Sequence, residues 1–256
     1  MKTRNILLEL AKKNSKKAQQ NKKKKKATIV FDAVLVVVLI IAVAMLGKAI
    51  TPHVQEYIEW LNSPLVCLDP GHGGKQLGTD DNGRIEKEDN LKLSLLVRDI
   101  LEENGVRVCL TRDDDKDINL SDRCKYANNK KAALFVSLHR NQADSDAQGI
   151  EIWISKREEE GSIKLANYIL DRMMSEPITV NRGVRVGSST SRNSDYYVLR
   201  NTTMPGCLIE TGFVNSDEDN KLYDENIKGY AYQIASGIID TLIDLYPDDV
   251  TIQTMR

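Results

Sequence analysis

Three short apolar runs in this chain each end in a residue able to bind a metal or move a proton. Leu65-Val66-Cys67-Leu68 runs into Asp69-Pro70-Gly71-His72-Gly73-Gly74. Leu134-Phe135-Val136-Ser137-Leu138 ends at His139, and Gly206-Cys207-Leu208-Ile209 ends at Glu210, before Thr211-Gly212. The first run reads as a buried strand stopped at Pro70, and the glycines beyond it allow backbone angles and close approaches that side chains would block. The chain has only three histidines, and two of them close such runs. The third, His53, lies in a polar stretch without partners and reads as a solvated bystander.

Two imidazoles suggest zinc, which in catalytic sites usually keeps three protein ligands and one open position. The third ligand should be a carboxylate or a cysteine. No Cys-x-x-Cys spacing exists, so a cysteine site is disfavoured. The acidic cluster Glu86-Lys87-Glu88-Asp89 is the nearest carboxylate source to His72. Spacing alone leaves Glu86, Glu88 and Asp89 open, and acidic residues in a first helical turn also suit the helix dipole. With both histidines committed to metal, no Ser-His-Asp set is evident.

The elements that must hold these residues follow from periodicity. Strands are expected to Leu68, over Val106–Thr111, Ala133–His139, Gly149–Ser155, Tyr196–Leu199 and Cys207–Glu210. Helices are expected over Asp89–Asn104, from a Ser121 cap to Asn129, over Gly161–Met174 and over Glu225–Leu245. Such alternation indicates an α/β domain whose largely parallel sheet is covered by helices on both faces. The carboxyl ends of parallel strands share one edge, where sites form, so His72, His139 and Glu210 can converge. Cys67, Cys109 and Cys207 fall in expected core strands and Cys124 on a helix. They read as reduced, structural thiols, the alternative being a disulfide whose connectivity sequence does not fix.

Charge divides the chain unevenly. Residues 1–26 hold ten lysines and one arginine against Glu9, a net of +10. The whole chain is −1, so residues 27–256 carry −11. The basic tail abuts an almost wholly apolar stretch, Ala27 to Leu46, about long enough to span a bilayer as a helix. That apolar neighbour favours a membrane over nucleic acid as the partner of the lysines. Lysines on its amino side predict a cytoplasmic tail and a translocated body. The alternative is a cleaved signal, with Ala42-Val43-Ala44 offering a cleavage site. The expected organisation is therefore a basic tail (1–26), a transmembrane signal-anchor (27–46), a stem (47–63) with a helix around Gln55 to Leu61, a catalytic domain (64–247) and a C-terminal tail (248–256).

Asp69-Pro70-Gly71-His72-Gly73-Gly74, Glu86-Lys87-Glu88-Asp89-Asn90-Leu91, Ser137-Leu138-His139-Arg140-Asn141 and Glu210-Thr211-Gly212-Phe213 together resemble the zinc-dependent N-acetylmuramoyl-L-alanine amidases of the amidase-3 type. Thr111-Arg112, Leu120-Ser121-Asp122-Arg123 and Asn181-Arg182-Gly183-Val184 also fit, and the resemblance spans about residues 64 to 245. It implies a six-stranded sheet, one zinc ion on His72, Glu86 and His139, and Glu210 as the catalytic carboxylate. Glu86 is chosen because, counted back from Asn90-Leu91, it occupies the family's ligand position. The implied substrate is peptidoglycan, cut at the amide between the lactyl group of N-acetylmuramic acid and L-alanine. Asn141, Arg182 and Arg200 are candidate substrate contacts. Rival readings are a zinc carboxypeptidase acting on stem peptides and a catalytically silent wall-binding protein; the intact set of four argues against the latter. No wall-binding repeats are seen, so the anchor is expected to place the enzyme on the wall side of the membrane. The short Ser155–Gly161 segment leaves little room for an inserted inhibitory helix.

Overall fold

The computed structural model describes residues 34–39, 41–43, 45–46, 51, 54, 57–58, 60–144, 146–189 and 194–247. Contacts divide the chain into two units, Met1–Ile58 and Glu59–Arg256. In the first unit, residues 34–39, 41–43 and 45–46 are helical and exposed. The basic tail, the first part of the apolar stretch, His53 and residues 248–256 lie outside the described residues. Among the described residues no helix is long and apolar enough to cross a membrane.

The second unit is an α/β domain. Its elements in chain order are β1 (Leu65–Pro70), β2 (Asp80–Asp81), β3 (Arg84–Ile85), α1 (Glu86–Glu103), β4 (Arg107–Leu110), α2 (Leu120–Asn129), β5 (Leu134–Asn141), β6 (Ile150–Ile154), α3 (Glu160–Met173), β7 (Asn181–Val186), α4 (Tyr197–Asn201), β8 (Gly206–Phe213) and α5 (Asp217–Leu245). Six strands form one sheet in the order β4-β1-β5-β8-β6-β7, while β2 and β3 form a separate hairpin. Neighbours from β4 to β8 run parallel; β6 opposes β8, and β7 follows β6 in parallel. The mostly parallel six-stranded sheet expected from the sequence is present.

Alternation along the strands sends side chains to two unequal faces. Val66, Leu68, Val136, Leu138, Ile152 and Ile209 pack with residues of α1, α3 and α5, such as Leu93, Ile169 and Ile234, in the larger core. Each fully buried Leu or Ile there contributes about 1.5–3 kcal/mol. Cys67, Phe135, Trp153 and Leu208 point the other way, against Cys124 and Ala127 of α2 and Val198 and Leu199 of α4. α2 and α4 are short, 10 and 5 residues, so they cover this face incompletely. All four cysteines are free, with Cys67 in register beside Cys109.

Several expected elements change. Tyr196–Leu199 is not a strand: Tyr197–Asn201 is a short helix, and the sixth strand is instead Asn181–Val186. α1 begins at Glu86 rather than Asp89, and α5 at Asp217 rather than Glu225. α2 is capped by Asn119, whose side chain accepts from the Asp122 N–H at 2.9 Å; Ser121 lies inside the helix.

The loop leaving β1 is tied down by two buried arginines. Arg123 Nη1 donates to Asp69 Oδ1 and to the Pro70 carbonyl, both at 2.7 Å, and Nη2 donates to the His72 carbonyl at 2.5 Å. Arg112 Nε donates to the Pro70 carbonyl at 2.9 Å, and its Nη2 reaches the carbonyls of Gly71 and Lys87, both at 2.8 Å. Burial opposes the charge of Asp69, yet Arg123, Thr111 and Ser137 hold its carboxyl below the ordinary 3.8. A depressed native pKa stabilises the fold above that ordinary value, and the contribution is lost as pH falls through the native one. Replacing Arg123 by Met strands a buried carboxylate and should cost about 3–5 kcal/mol at neutral pH. The difference from wild type should narrow in acid, where Asp69 is protonated in both proteins. Denaturant unfolding at neutral pH and well below pH 3.8, past the depressed native value, checks this; a difference unaffected by pH would show that the pair is not its source.

Candidate metal centre and active site

His72, Glu86 and His139 come together, one ligand atom from each lying within 4.8 Å of the others. His139 Nδ1 is 2.9 Å from Glu86 Oε1, and His72 Nε2 is 3.2 Å from Oε2. His72 sits just past the end of β1 with φ of 59°, a left-handed conformation that non-glycine residues adopt at a cost of about 1–3 kcal/mol. The grip of Arg123 on its carbonyl holds it there.

Two glycines permit the approach. A Cβ at Gly71 would lie 2.2 Å from the His139 ring, and one at Gly78 would lie 2.5 Å from Glu86 Oε2 and 2.7 Å from His72. Gly78 also has φ of +72°. Larger residues at these positions would occupy the space in which the three ligands meet.

Glu86 opens α1, and its carboxylate is turned inward. Oε1 accepts from Asn90 Nδ2 at 3.1 Å and from the Arg140 N–H at 3.2 Å, while Oε2 accepts from the Thr79 N–H at 3.0 Å. Burial works against its charge, but the facing rings of His139 and His72 hold the carboxyl well below the usual range. The two alternatives are placed elsewhere. Glu88 is exposed, and Asp89 is engaged by Arg84 and Arg140, each at 2.7 Å. Two imidazoles and one carboxylate form a donor set that catalytic zinc sites use, and the residues present therefore fit that ion.

Glu210 joins this centre through strand register. His139 on β5 pairs with Glu210 on β8, which pairs with Glu151 on β6, so three functional groups form a row across the incompletely covered face. The side chain of Glu210 is buried, and its Oε2 has no hydrogen-bond partner among the described residues. Burial, followed by the charges of Glu86 and Glu151, pushes its carboxyl well above the usual value, with Arg140 opposing. His72, Glu86, His139, Asn141, Tyr196 and Glu210 line one cleft of about 630 Å³.

The candidate substrate contacts separate. Asn141 lies on the cleft and donates from Nδ2 to Glu151 Oε1 at 2.8 Å. Arg182 donates from Nε to Glu151 Oε2 at 2.8 Å and stacks over Phe213, its guanidinium carbon 5.1 Å from the ring centre. Arg200 is exposed and stacks on Tyr197. Neither arginine is among the described residues lining the cleft. Glu151 itself was missed from the sequence, although a carboxylate inside Ile150-Glu151-Ile152-Trp153-Ile154, where the other positions are apolar, was a signal.

Comparison with known proteins agrees with this geometry. The family model described as N-acetylmuramoyl-L-alanine amidase, Amidase_3, matches residues 66–240. The uncharacterized protein YqiI of Bacillus subtilis is 36% identical over 211 residues, which are 81% of this chain and 97% of that protein. The probable cell wall amidase LytH of Staphylococcus epidermidis is 29% identical over 186 residues, 71% of this chain and 58% of LytH. Among solved structures, the N-acetylmuramoyl-L-alanine amidase AmiC2 of Nostoc punctiforme superposes with a TM-score of 0.62 at 36% identity, covering 70% of this chain and 97% of that one. The chain thus belongs to the N-acetylmuramoyl-L-alanine amidase family, Amidase_3.

Proposed function

We propose that this protein is a membrane-tethered zinc amidase that hydrolyses the bond between N-acetylmuramic acid and the L-alanine of peptidoglycan stem peptides. The observation that carries the reading is the meeting of His72, Glu86 and His139 in one cleft, with the buried carboxylate of Glu210 beside them. His72, Glu86 and His139 would hold one zinc ion, which when bound supplies a Lewis acid for the carbonyl and lowers the pKa of water. Glu210 takes the proton from the attacking water and passes it to the nitrogen of the leaving alanine. Burial and the charges of Glu86 and Glu151 raise its pKa, which favours its holding the proton it takes. Asn141, on the cleft wall, is placed to donate to a substrate carbonyl. Arg200, exposed and stacked on Tyr197, is a candidate contact at the surface.

The apolar stretch Ala27 to Leu46, behind its lysines, supports a retained anchor with the catalytic domain on the wall side. Under this reading, peptidoglycan and the bilayer are the partners, and tethering supplies the localisation.

Three outcomes are expected. In metal analysis of the purified protein, Glu86→Ala should lose zinc and Glu88→Ala should retain it; the reverse would move the third ligand along α1. Glu210→Gln keeps size and hydrogen bonding but removes the base, so amide cleavage of muropeptides, followed by mass spectrometry, should fall about two to four orders of magnitude with zinc still bound. Turnover within a few-fold of wild type would require a different carboxylate. Protein recovered from membranes should begin near Met1, whereas a mature terminus near Met45 would identify a cleaved, secreted enzyme.

A further inference from the structure

We infer that Glu151 is a positioning residue of the active site, holding Asn141 in the orientation that substrate requires and anchoring Arg182 of the edge strand beside it. This rests on the reading of the cleft as an amidase site. Glu151 is 3% exposed and stands in the middle of β6. Its Oε1 accepts from Asn141 Nδ2 at 2.8 Å and from Trp153 Nε1 at 3.0 Å, and its Oε2 accepts from Arg182 Nε at 2.8 Å. An acceptor-only carboxylate thereby determines which end of the Asn141 amide faces it. Asn141 Oδ1 accepts the Gln142 N–H at 2.9 Å, which fixes the other end and leaves one Nδ2 hydrogen for the cleft.

The approach of Arg182 depends on a local irregularity. Register between β6 and β7 shifts after Ile150, where Gly183 adopts φ of +83°. An extra residue in one strand re-aims its side chains, and here Arg182 closes on Glu151 while Arg185 Nε remains 4.0 Å from the same oxygen. Asn141 is two residues beyond His139 on β5, and Glu151 is the cross-strand partner of Glu210. One buried carboxylate therefore joins the strand bearing a metal ligand to the bulged edge strand, at the level of the proposed base.

The chemistry of the contacts makes the role testable. Glutamine at 151 would retain one acceptor but place an NH₂ against donors on one side, either Arg182 or the Asn141 and Trp153 pair. With soluble muropeptide substrate and zinc-loaded protein, Glu151→Gln should lower kcat/KM at least tenfold while zinc content remains equal to wild type. Asn141→Ala should weaken kcat/KM at least fivefold, chiefly through KM. The Glu151→Gln, Asn141→Ala double variant should lie within about twofold of the poorer single one, because both changes remove the same orientation. Full multiplication of the two losses would overturn the inference, as would a Glu151→Gln enzyme within twofold of wild type. If Glu151→Gln does not fold, the single Asn141 variant still decides: kcat/KM within twofold of wild type would leave Glu151 nothing to position. Inactivity of wild-type protein in the same assay would count against the amidase reading itself.

Discussion

The carbonyl oxygens of Pro70, Gly71 and His72 are the constraint on which the site depends. A chain leaving the end of a buried strand and turning sharply removes these acceptors from the sheet ladder without returning them to water. Left unmet, each would cost about 1–3 kcal/mol. Arg112 and Arg123 meet them with rigid, planar forks of donors, a geometry that lysine cannot reproduce. Burial and the neighbouring Arg123 lower the pKa of Arg112 only to about 10, so it remains charged at neutral pH. Asp69 then balances this buried positive charge from the end of the same strand. The left-handed backbone of His72 is a consequence of that lock, which presents the imidazole to Glu86.

The position of the cleft follows from the inequality of the two faces. Three long helices seal one side of the sheet, but α2 and α4 leave part of the other open. Asp69, Ser137, His139, Glu210 and Glu151 all occupy strand positions that alternate toward that thinner side. Polar groups there can be buried at their base and still reach a ligand at their tip. On the sealed side the same residues would have been costly to bury, and that side holds aliphatic residues such as Leu68, Leu138 and Ile209.

Much of this was legible in the sequence because apolar runs ending in His72, His139 and Glu210 combine two signals, strand periodicity and a sudden change to polar chemistry. Their convergence needed only the rule that parallel strands share an edge. Glu86 was less legible, since helix-start chemistry and metal ligation favour the same residue type in the same turn; inward rotation, visible only in three dimensions, separates it from exposed Glu88. Tyr196-Tyr197-Val198-Leu199 has strand-forming residues but folds as a helical turn that places Val198 and Leu199 in the smaller core, so packing overrides local preference. Conversely, Asn181-Arg182-Gly183-Val184-Arg185-Val186 is too polar and too rich in charge to read as a strand. It forms one at the sheet edge, where only one side needs pairing and a bulge is tolerated.

Glu151 and Glu210 divide the work that one carboxylate could not do alone. They are cross-strand neighbours on the same face, where two like charges are unfavourable unless something distinguishes them. The distinction is in the partners. Glu151 is surrounded by donors from Asn141, Trp153 and Arg182, which engage both of its oxygens and fix its orientation. Glu210 has an oxygen with no partner among the described residues and the charges of Glu86 and Glu151 near it, so taking up a proton relieves both the burial and the repulsion. The fully bonded carboxylate therefore serves geometry, and its charge helps Glu210 to serve chemistry.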